Sequence, residues 1–200
     1  MKIVLASNNR GKLNELQAML APLGLQLLSQ ADMDLGVSDE PFLTFVENAL
    51  AKARFAAQGS GLPALADDAG ICVDAFGGLP GVQTADYALQ FGYEKSDANN
   101  VRALLEQMAN QTNRCASMVS TLVAVRHATD PEPLIAVGRV KGQITREPIG
   151  DGGFGFDPVM FIPEFGKTFA QLPVDVKNAH SHRGRAVRAM VVLLRERWGV

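Results

Sequence analysis

The stretch that decides the fold is IVLASNNRGKLNELQAMLAPLG, residues 3–24. Its first four residues form a continuous apolar run, which is typical of a strand buried on both faces. After a polar loop, Leu13, Leu16, Leu20 and Leu23 recur at helical spacing until Gly24. The stretch therefore predicts a strand, a tight loop and a helix, which is the opening unit of an α/β fold.

The next segments continue this alternation. Residues 44–58 predict a second helix, because Thr44 and Glu47 form a capping-box pattern before an alanine-rich run that stops at residues 59–61. Residues 62–66 predict a strand that ends at Asp67 and Asp68. Apolar side chains at helical spacing predict a third helix over residues 101–108.

The second half of the chain adds an antiparallel element. Residues 118–125 and 134–140 predict two strands, and the turn formers Asp-Pro-Glu-Pro at 130–133 predict a hairpin between them. Residues 159–162 predict one more strand and residues 186–198 a closing helix. Helices that alternate with strands, plus one hairpin, predict an α/β fold with a mixed sheet and flanking helices.

Composition limits the class of protein. The chain has 200 residues, 47% of them hydrophobic, which predicts a single domain over residues 1–200 with a buried core. The 19 basic and 21 acidic side chains give a net charge of −2, which argues against polymeric nucleic acid as a partner. The longest apolar run, residues 189–194, is far shorter than the roughly 18 residues of a membrane helix. With two cysteines and no signal-peptide pattern, we expect a cytoplasmic protein.

The polar loop after the first strand is the first candidate binding site. It consists of Ser7, Asn8, Asn9, Arg10, Gly11 and Lys12. Free amides and the dipole at a helix N-terminus favour an anion, and the two cations add to that preference, so the loop predicts a phosphate site. An ordinary helix cap with solvated cations is the alternative.

A lysine and a group of carboxylates form the second candidate. Lys52 borders the apolar face of the second helix, where its side chain either extends into solvent or reaches a polar cleft. Asp67 and Asp68, with Asp39 and Glu40 upstream, could supply oxygen ligands for Mg²⁺, and a carboxylate could activate water. A turn that closes the strand explains the aspartates equally well.

Two further segments carry polar or aromatic groups. Residues 150–158 combine four glycines with Phe154 and Phe156, so the backbone could approach a flat ligand while Phe154 stacks on it. A flexible connection is the alternative. Lys177 and the basic start of the last helix, residues 180–185, could donate to carbonyl or phosphate oxygens, or could be solvated.

Together these segments resemble one family, the inosine/xanthosine triphosphate pyrophosphatases, which remove non-standard purine nucleotides. The resemblance follows the family's order and spans residues 7–186. The matching segments are Ser7-Asn8-Asn9-Arg10-Gly11-Lys12 with Glu15, Thr44-Phe45-Val46-Glu47-Asn48-Ala49 with Lys52-Ala53, Ala66-Asp67-Asp68 with Gly70, Gly77-Gly78-Leu79-Pro80-Gly81, Phe154-Gly155-Phe156-Asp157-Pro158, and Ser181-His182-Arg183.

The resemblance implies a fold and a reaction. The fold would be an elongated mixed sheet with two lobes around a central nucleotide cleft, in a homodimer. The reaction would be Mg²⁺-dependent hydrolysis of a nucleoside triphosphate to the monophosphate and pyrophosphate. The preferred bases would be hypoxanthine and xanthine, and the role would be to cleanse the nucleotide pool.

The resemblance also implies a role for each site residue. Residues 7–12 and Lys52 would hold the triphosphate. Asp68 would activate the attacking water and, with Glu40, would place the metal, with Asp39 as the alternative to Glu40. Phe154 would stack on the base. The remaining substrate-binding positions would be Ala69, Gly155, Phe156, Asp157, Lys177, His182 and Arg183, of which the last four would read the edge of the base.

Three departures from the family pattern and two rival functions remain. Ala69 stands where serine is usual, Asp86 where arginine is usual, and Pro41-Phe42 where Thr-Gly is usual. One rival is a pyrophosphatase for modified pyrimidine triphosphates, whose Ser-x-Ser-x-x-Arg opening differs from Ser7-Asn8-Asn9. The other is a catalytically silent nucleotide-binding module, which Ala69 and Asp86 would suit.

Overall fold

A computed structural model describes residues 1–200. The strands are β1 Lys2–Ala6, β2 Gln26–Ser29, β3 Ala64–Val73, β4 Cys115–Val125, β5 Leu134–Ile144, β6 Met160–Ile162 and β7 Lys167–Thr168. The α-helices are α1 Arg10–Leu20, α2 Phe45–Ser60, α3 Asp97–Gln107, α4 Val174–His180 and α5 His182–Trp198. All seven strands form one sheet in the order β2-β1-β3-β4-β5-β6-β7.

The sheet is mixed, as predicted. β1 pairs in parallel with β2 and with β3, where Ala6 lies opposite Ala66. β6 pairs antiparallel with both β5 and β7. The N–H of Ile144 donates to the carbonyl of Arg114, so the end of β5 meets the start of β4 and the predicted hairpin is antiparallel. These pairings confirm the α/β class with a mixed sheet and flanking helices.

Two compact units divide the chain. The first contains residues 1–68, 120–138 and 182–200, and the second contains residues 69–119 and 139–181. Because both units are built from separate stretches of sequence, no single point in the chain separates them. The single domain expected over residues 1–200 stays a prediction.

Each unit has its own apolar interior. In the first, small side chains of α2 pack against β1 and β3, while Leu16 and Leu20 of α1 pack with Met190 of α5. In the second, Phe169 and Leu104 are fully buried in one cluster. Because the alanines along α2 are small, this helix lies close to the sheet. The close packing determines where polar side chains at the edge of the packed helix face are placed.

The strand predicted over residues 62–66 is longer than expected, and this corrects the placement of the two aspartates. β3 continues through Asp67 and Asp68 to Val73 instead of ending before them. β1 ends at Ala6, opposite Ala66, so the aspartates extend beyond the carboxyl end of β1. The turn considered for them is therefore wrong, because they lie inside a strand.

Other boundaries differ by a few residues. α5 begins at His182 instead of residue 186, because the polar first turn is buried in the fold. β6 begins at Met160, since Val159 belongs to a preceding 3₁₀ turn. In the capping box of α2, the Thr44 hydroxyl accepts from the Glu47 N–H and donates to the Glu47 carboxylate at 2.5 Å.

Four elements carry too weak a pattern for prediction from sequence. β2 and β7 are only four and two residues long, and α4 has seven residues after Pro173. A 3₁₀ helix over Gly81–Phe91 follows a glycine-rich turn and packs on α3. No helix combines the length and apolar character needed to cross a membrane.

Candidate active site

The loop after β1 forms a capped helix start. Asn9 is the N-cap of α1, and its side chain accepts from the Lys12 N–H at 3.0 Å. The Ser7 hydroxyl accepts from the Asn9 N–H at 3.2 Å. Asn8 and Arg10 are exposed, and Gly11 lies in the first turn of the helix. The cap uses only part of the polar groups in the loop, so it is compatible with an anion site, which stays a prediction.

Lys12 belongs to a buried group of charges. Its Nζ lies 3.4 Å from Oδ2 of Asp67, whose side chain is fully buried. Arg183, at the start of α5, donates to the same oxygen through Nε at 3.1 Å and Nη2 at 3.0 Å. Nη1 of Arg183 donates to Glu15 at 2.5 Å. The structure thus places Arg183 with Asp67 and Glu15, two carboxylates to which the family resemblance gives no role.

The charges in this group shift one another's pKa values. Burial alone would raise the pKa of Asp67, but Arg183 and Lys12 hold it well below its usual range. Burial lowers the pKa of Lys12, and this effect exceeds the opposing attraction of Asp67. Burial also works against the charge of Arg183, yet Asp67 and Glu15 raise its pKa overall. Asp67 is therefore a permanent anion at neutral pH.

Lys52 joins the two candidate metal ligands. Its Nζ donates to Oδ1 of Asp68 at 2.8 Å and to Oε2 of Glu40 at 2.9 Å. Burial opposes the charge of Lys52, but the two carboxylates raise its pKa overall. Burial raises the pKa of Asp68 despite the nearby lysine. Asp68 is thus a buried carboxylate with increased affinity for a proton.

The second oxygen of Asp68 is available for chemistry. Oδ2 of Asp68 is buried and has no hydrogen-bond partner. An unpaired buried oxygen carries a large desolvation penalty, and such atoms often mark a site that a metal ion or water completes.

The donor set fits Mg²⁺. The cation prefers oxygen ligands and commonly uses one or two carboxylates together with waters and substrate phosphates. Asp68 and the exposed Glu40 supply such a pair, and Lys52 already holds them at a common point. No group of three or more histidine, cysteine or acidic side chains forms a complete metal site in the chain. Glu40 fits better than Asp39, because Glu40 shares Lys52 with Asp68.

The glycine-rich segment contains a second polar cluster around a half-buried Phe154. Oδ2 of Asp157 accepts from the Phe154 N–H at 2.8 Å and from Nζ of Lys177 at 2.6 Å. The same Nζ lies 4.8 Å from the centroid of the Phe154 ring. A Cβ on Gly153 would lie 2.1 Å from Oδ2 of Asp157, so only glycine allows this carboxylate to approach the backbone.

Asp97 makes a contact that no sequence motif predicts. Its Oδ2 accepts from the Gly155 N–H at 2.7 Å, which ties the glycine-rich segment to the first turn of α3. Nothing in the sequence relates residues 97 and 155. Phe156 is expected from the resemblance to bind substrate, but it is buried in the apolar interior, and its role in binding stays a prediction.

The start of α5 packs tightly on β5. His182 is buried, and a Cβ on Gly138 would lie 2.0 Å from the His182 carbonyl oxygen and 2.4 Å from the Ala186 nitrogen. Gly138 therefore sets how closely the polar first turn of α5 approaches the sheet. Ala69 follows Asp68 in β3 and is half-buried.

Ser120 and Asp86 are two further polar residues whose contacts the structure shows. Ser120 of β4 is fully buried and donates to Oδ1 of Asp67 at 2.6 Å, a contact that no sequence pattern predicts. Asp86, where the family usually has arginine, forms an exposed ion pair with Lys95 at 2.5 Å. Exposed pairs of this kind contribute little to stability.

Comparisons with known proteins agree with the motifs. A model of the Ham1 family matches residues 3–193. The chain is 76% identical over 198 residues to the dITP/XTP pyrophosphatase of Paracidovorax citrulli (strain AAC00-1), covering 99% of this chain and 100% of the relative.

Two solved structures are similar in fold. A HAM1 protein from Coxiella burnetii has a TM-score of 0.90 and 40% identity, covering 98% of this chain and 99% of that one. The Ham1 protein of Staphylococcus aureus has a TM-score of 0.86 and 33% identity with the same coverage. The family expected from the spaced motifs is thus confirmed, and the chain belongs to the Ham1 family.

Proposed function

We propose that this chain hydrolyses non-canonical purine nucleoside triphosphates, such as dITP, ITP, XTP and dXTP, to the monophosphate and pyrophosphate. The observation that carries the proposal is the bridge from Lys52 to Asp68 and Glu40, beside a buried Asp68 oxygen with no partner. This arrangement combines a cation, a base and two metal-ligand candidates. The name dITP/XTP pyrophosphatase of a relative that is 76% identical supports the substrate class.

The triphosphate would be held by positive charge and by backbone amides. Phosphoryl transfer depends mainly on positioning and on neutralising the charge of the phosphates. Lys12 and Lys52 are the ammonium groups beside the two aspartates. The N-terminus of α1, capped by Asn9, adds free amides that favour an anion.

Asp68 would act as the general base. Its partnerless Oδ2 accepts a proton from water while Oδ1 stays hydrogen-bonded to Lys52, so the carboxylate keeps its orientation during the transfer. Burial raises the pKa of Asp68, which increases its affinity for the proton. The water oxygen then attacks the α-phosphorus and pyrophosphate leaves. Mg²⁺, held by Asp68 and Glu40, would neutralise charge on the phosphate oxygens.

The second cluster would select the base. Phe154 offers an aromatic face, and Asp157 and Lys177 lie beside it as an acceptor and a donor. A donor beside the 6-oxo group of hypoxanthine or xanthine would be left unpaired by the amino group of adenine, and a buried unpaired group is costly. His182 and Arg183 are the further donors that the family resemblance assigns to the base.

The cellular setting belongs to the same proposal. We infer a homodimer that depends on Mg²⁺, works in the cytoplasm and removes deaminated purines from the nucleotide pool. The net charge of −2 suits a small nucleotide bound through local cations better than polymeric nucleic acid.

Pyrophosphate release from a panel of nucleotides tests the proposal against both rivals. The panel contains ITP, XTP, dITP, ATP, GTP, CTP, UTP and dTTP, each with Mg²⁺ and with a chelator. We expect fast, metal-dependent turnover of the hypoxanthine and xanthine nucleotides only. Turnover of pyrimidine nucleotides would favour the pyrimidine-type enzyme. Binding of ITP without pyrophosphate release would favour the silent module.

A further inference from the structure

Asp67 contacts more charged groups than the neighbouring Asp68, although the proposed reaction gives Asp67 no role. Oδ2 of Asp67 accepts from Nε and Nη2 of Arg183 and lies 3.4 Å from Nζ of Lys12. Oδ1 accepts from the Ser120 hydroxyl at 2.6 Å. The Asp67 side chain is fully buried. One carboxylate in β3 thus meets side chains from α1, β4 and α5.

The cations around Asp67 repel each other and are poorly solvated. The side chains of Lys12 and Arg183 are only 17% and 2% exposed. Bringing two such cations together costs free energy unless an anion lies between them. Arg183 has a second anion in Glu15, whereas Asp67 is the carboxylate in contact with Lys12.

We propose that Asp67 is a positioning residue, which holds the Lys12 ammonium where it meets the phosphates of the substrate and holds Arg183 beside it. Ser120 fixes the rotation of the Asp67 carboxylate, so that Oδ2 faces both cations. This inference rests on the proposed function, because it concerns how the same site binds its triphosphate. Asp67 itself touches neither the substrate nor the attacking water.

A purely structural role for Asp67 predicts different kinetics from a positioning role. If Asp67 only stabilised the fold, its loss would reduce the amount of folded protein, so the apparent kcat would fall while KM stayed constant. If Asp67 positions Lys12, its loss weakens phosphate binding in the protein that remains folded. The separation of KM from kcat therefore distinguishes the two roles.

The test uses Asp67→Asn, which keeps the size of the side chain and one acceptor for Ser120 but removes the charge. We expect the KM for ITP and the Kd for inorganic tripolyphosphate both to rise by about tenfold or more, because a buried charge pair is broken. We expect kcat at saturating ITP to change by less than about threefold. Calorimetry measures the tripolyphosphate affinity without turnover.

Asp130→Asn is the matched control. Asp130 is also buried and accepts from two backbone N–H groups, those of Arg126 and Glu132, but it contacts none of the proposed phosphate ligands. We expect this variant to lose stability and to keep the wild-type KM and tripolyphosphate affinity. A rise in KM of the same size in both variants would overturn the positioning role.

Ser120→Ala provides a second variant in case Asp67→Asn does not fold. It removes only the hydroxyl that orients Asp67, and we expect tripolyphosphate affinity to fall by about two- to fivefold. Unchanged affinity in every variant that folds would overturn the inference. Wild-type turnover of ITP is measured first. An inactive wild type would reject the proposed function. An active wild type, together with unchanged KM and tripolyphosphate affinity in Asp67→Asn, would reject only this inference.

Discussion

Lys52 donates to Oδ1 of Asp68 at 2.8 Å, and this contact leaves Oδ2 of Asp68 buried without a partner. The lysine therefore orients the carboxylate without using both of its oxygens. In the mechanism that we propose, this arrangement leaves Oδ2 of Asp68 to accept the proton of the attacking water. The same lysine reaches Glu40, so a single cation contacts both of the carboxylates that we propose as metal ligands.

Replacing Asp68 by asparagine should lower kcat for ITP by about 10²- to 10⁴-fold, because the amide cannot accept the proton of the attacking water. Steady-state pyrophosphate release measures the effect, and ITP binding by calorimetry checks that the site is still formed. Near-normal turnover of this variant would show that another group is the base.

The stability of the metal-free protein should fall in acid partly because of Asp67. Its pKa is lowered in the fold, so the group stabilises the folded state above its unfolded pKa of about 3.9, and this contribution is lost as pH falls below that value. Asp67→Asn should be less stable at pH 7 and should lose less of its remaining stability between about pH 5 and pH 3. Urea unfolding at several pH values measures both. Parallel losses in the two proteins would contradict the assignment.

Replacing Phe154 by alanine should weaken ITP binding by about 1–3 kcal/mol, since the base loses its stacking partner. Phe91→Ala is the control, because Phe91 is an exposed ring that packs on Tyr87. The ITP affinity of both variants is measured directly, and we expect it to fall only in Phe154→Ala. Equal affinity in Phe154→Ala and wild type would remove Phe154 from the site.

Gly153→Ala should disrupt the second cluster without touching the base directly. The new methyl group would collide with Oδ2 of Asp157, so the carboxylate could no longer accept from both Phe154 and Lys177. We expect ITP affinity to fall about tenfold or more. Gly77→Ala carries a similar backbone strain at φ 62° in open space and should keep its affinity. If the two variants bind ITP equally well, the Asp157 contacts are not needed for binding.

The sequence predicts much of this fold because the main elements have strong local patterns. The buried run before Ser7 and the leucines up to Leu20 form β1 and α1. Thr44 caps α2 as expected, and Gly61 ends it in a left-handed conformation. The mistaken end of the strand at Asp67 has a clear cause. Two adjacent acidic residues resemble a turn, and only the burial of charge partners from distant segments stabilises them inside a strand.

The site was only partly predictable for the same reason. Lys52 and Asp68 belong to recognisable segments, and the structure brings them together with Glu40. Ser120 and Asp97 have no pattern in the sequence, because their contacts join residues that are 53 and 58 positions apart. The resemblance implies a role for Arg183 at the base, and the structure adds that its guanidinium donates to Asp67 and Glu15. These contacts of Arg183 depend on how α5 packs in the fold, which no local sequence pattern predicts.

Hydrolysis of ITP in ¹⁸O-enriched water tests the central claim most directly. Water activated by Asp68 would attack the α-phosphorus, so the labelled oxygen should appear in inosine monophosphate and not in pyrophosphate. Mass spectrometry of the two products measures where the label lies. Label in pyrophosphate, or release of orthophosphate in place of pyrophosphate, would contradict the proposed reaction.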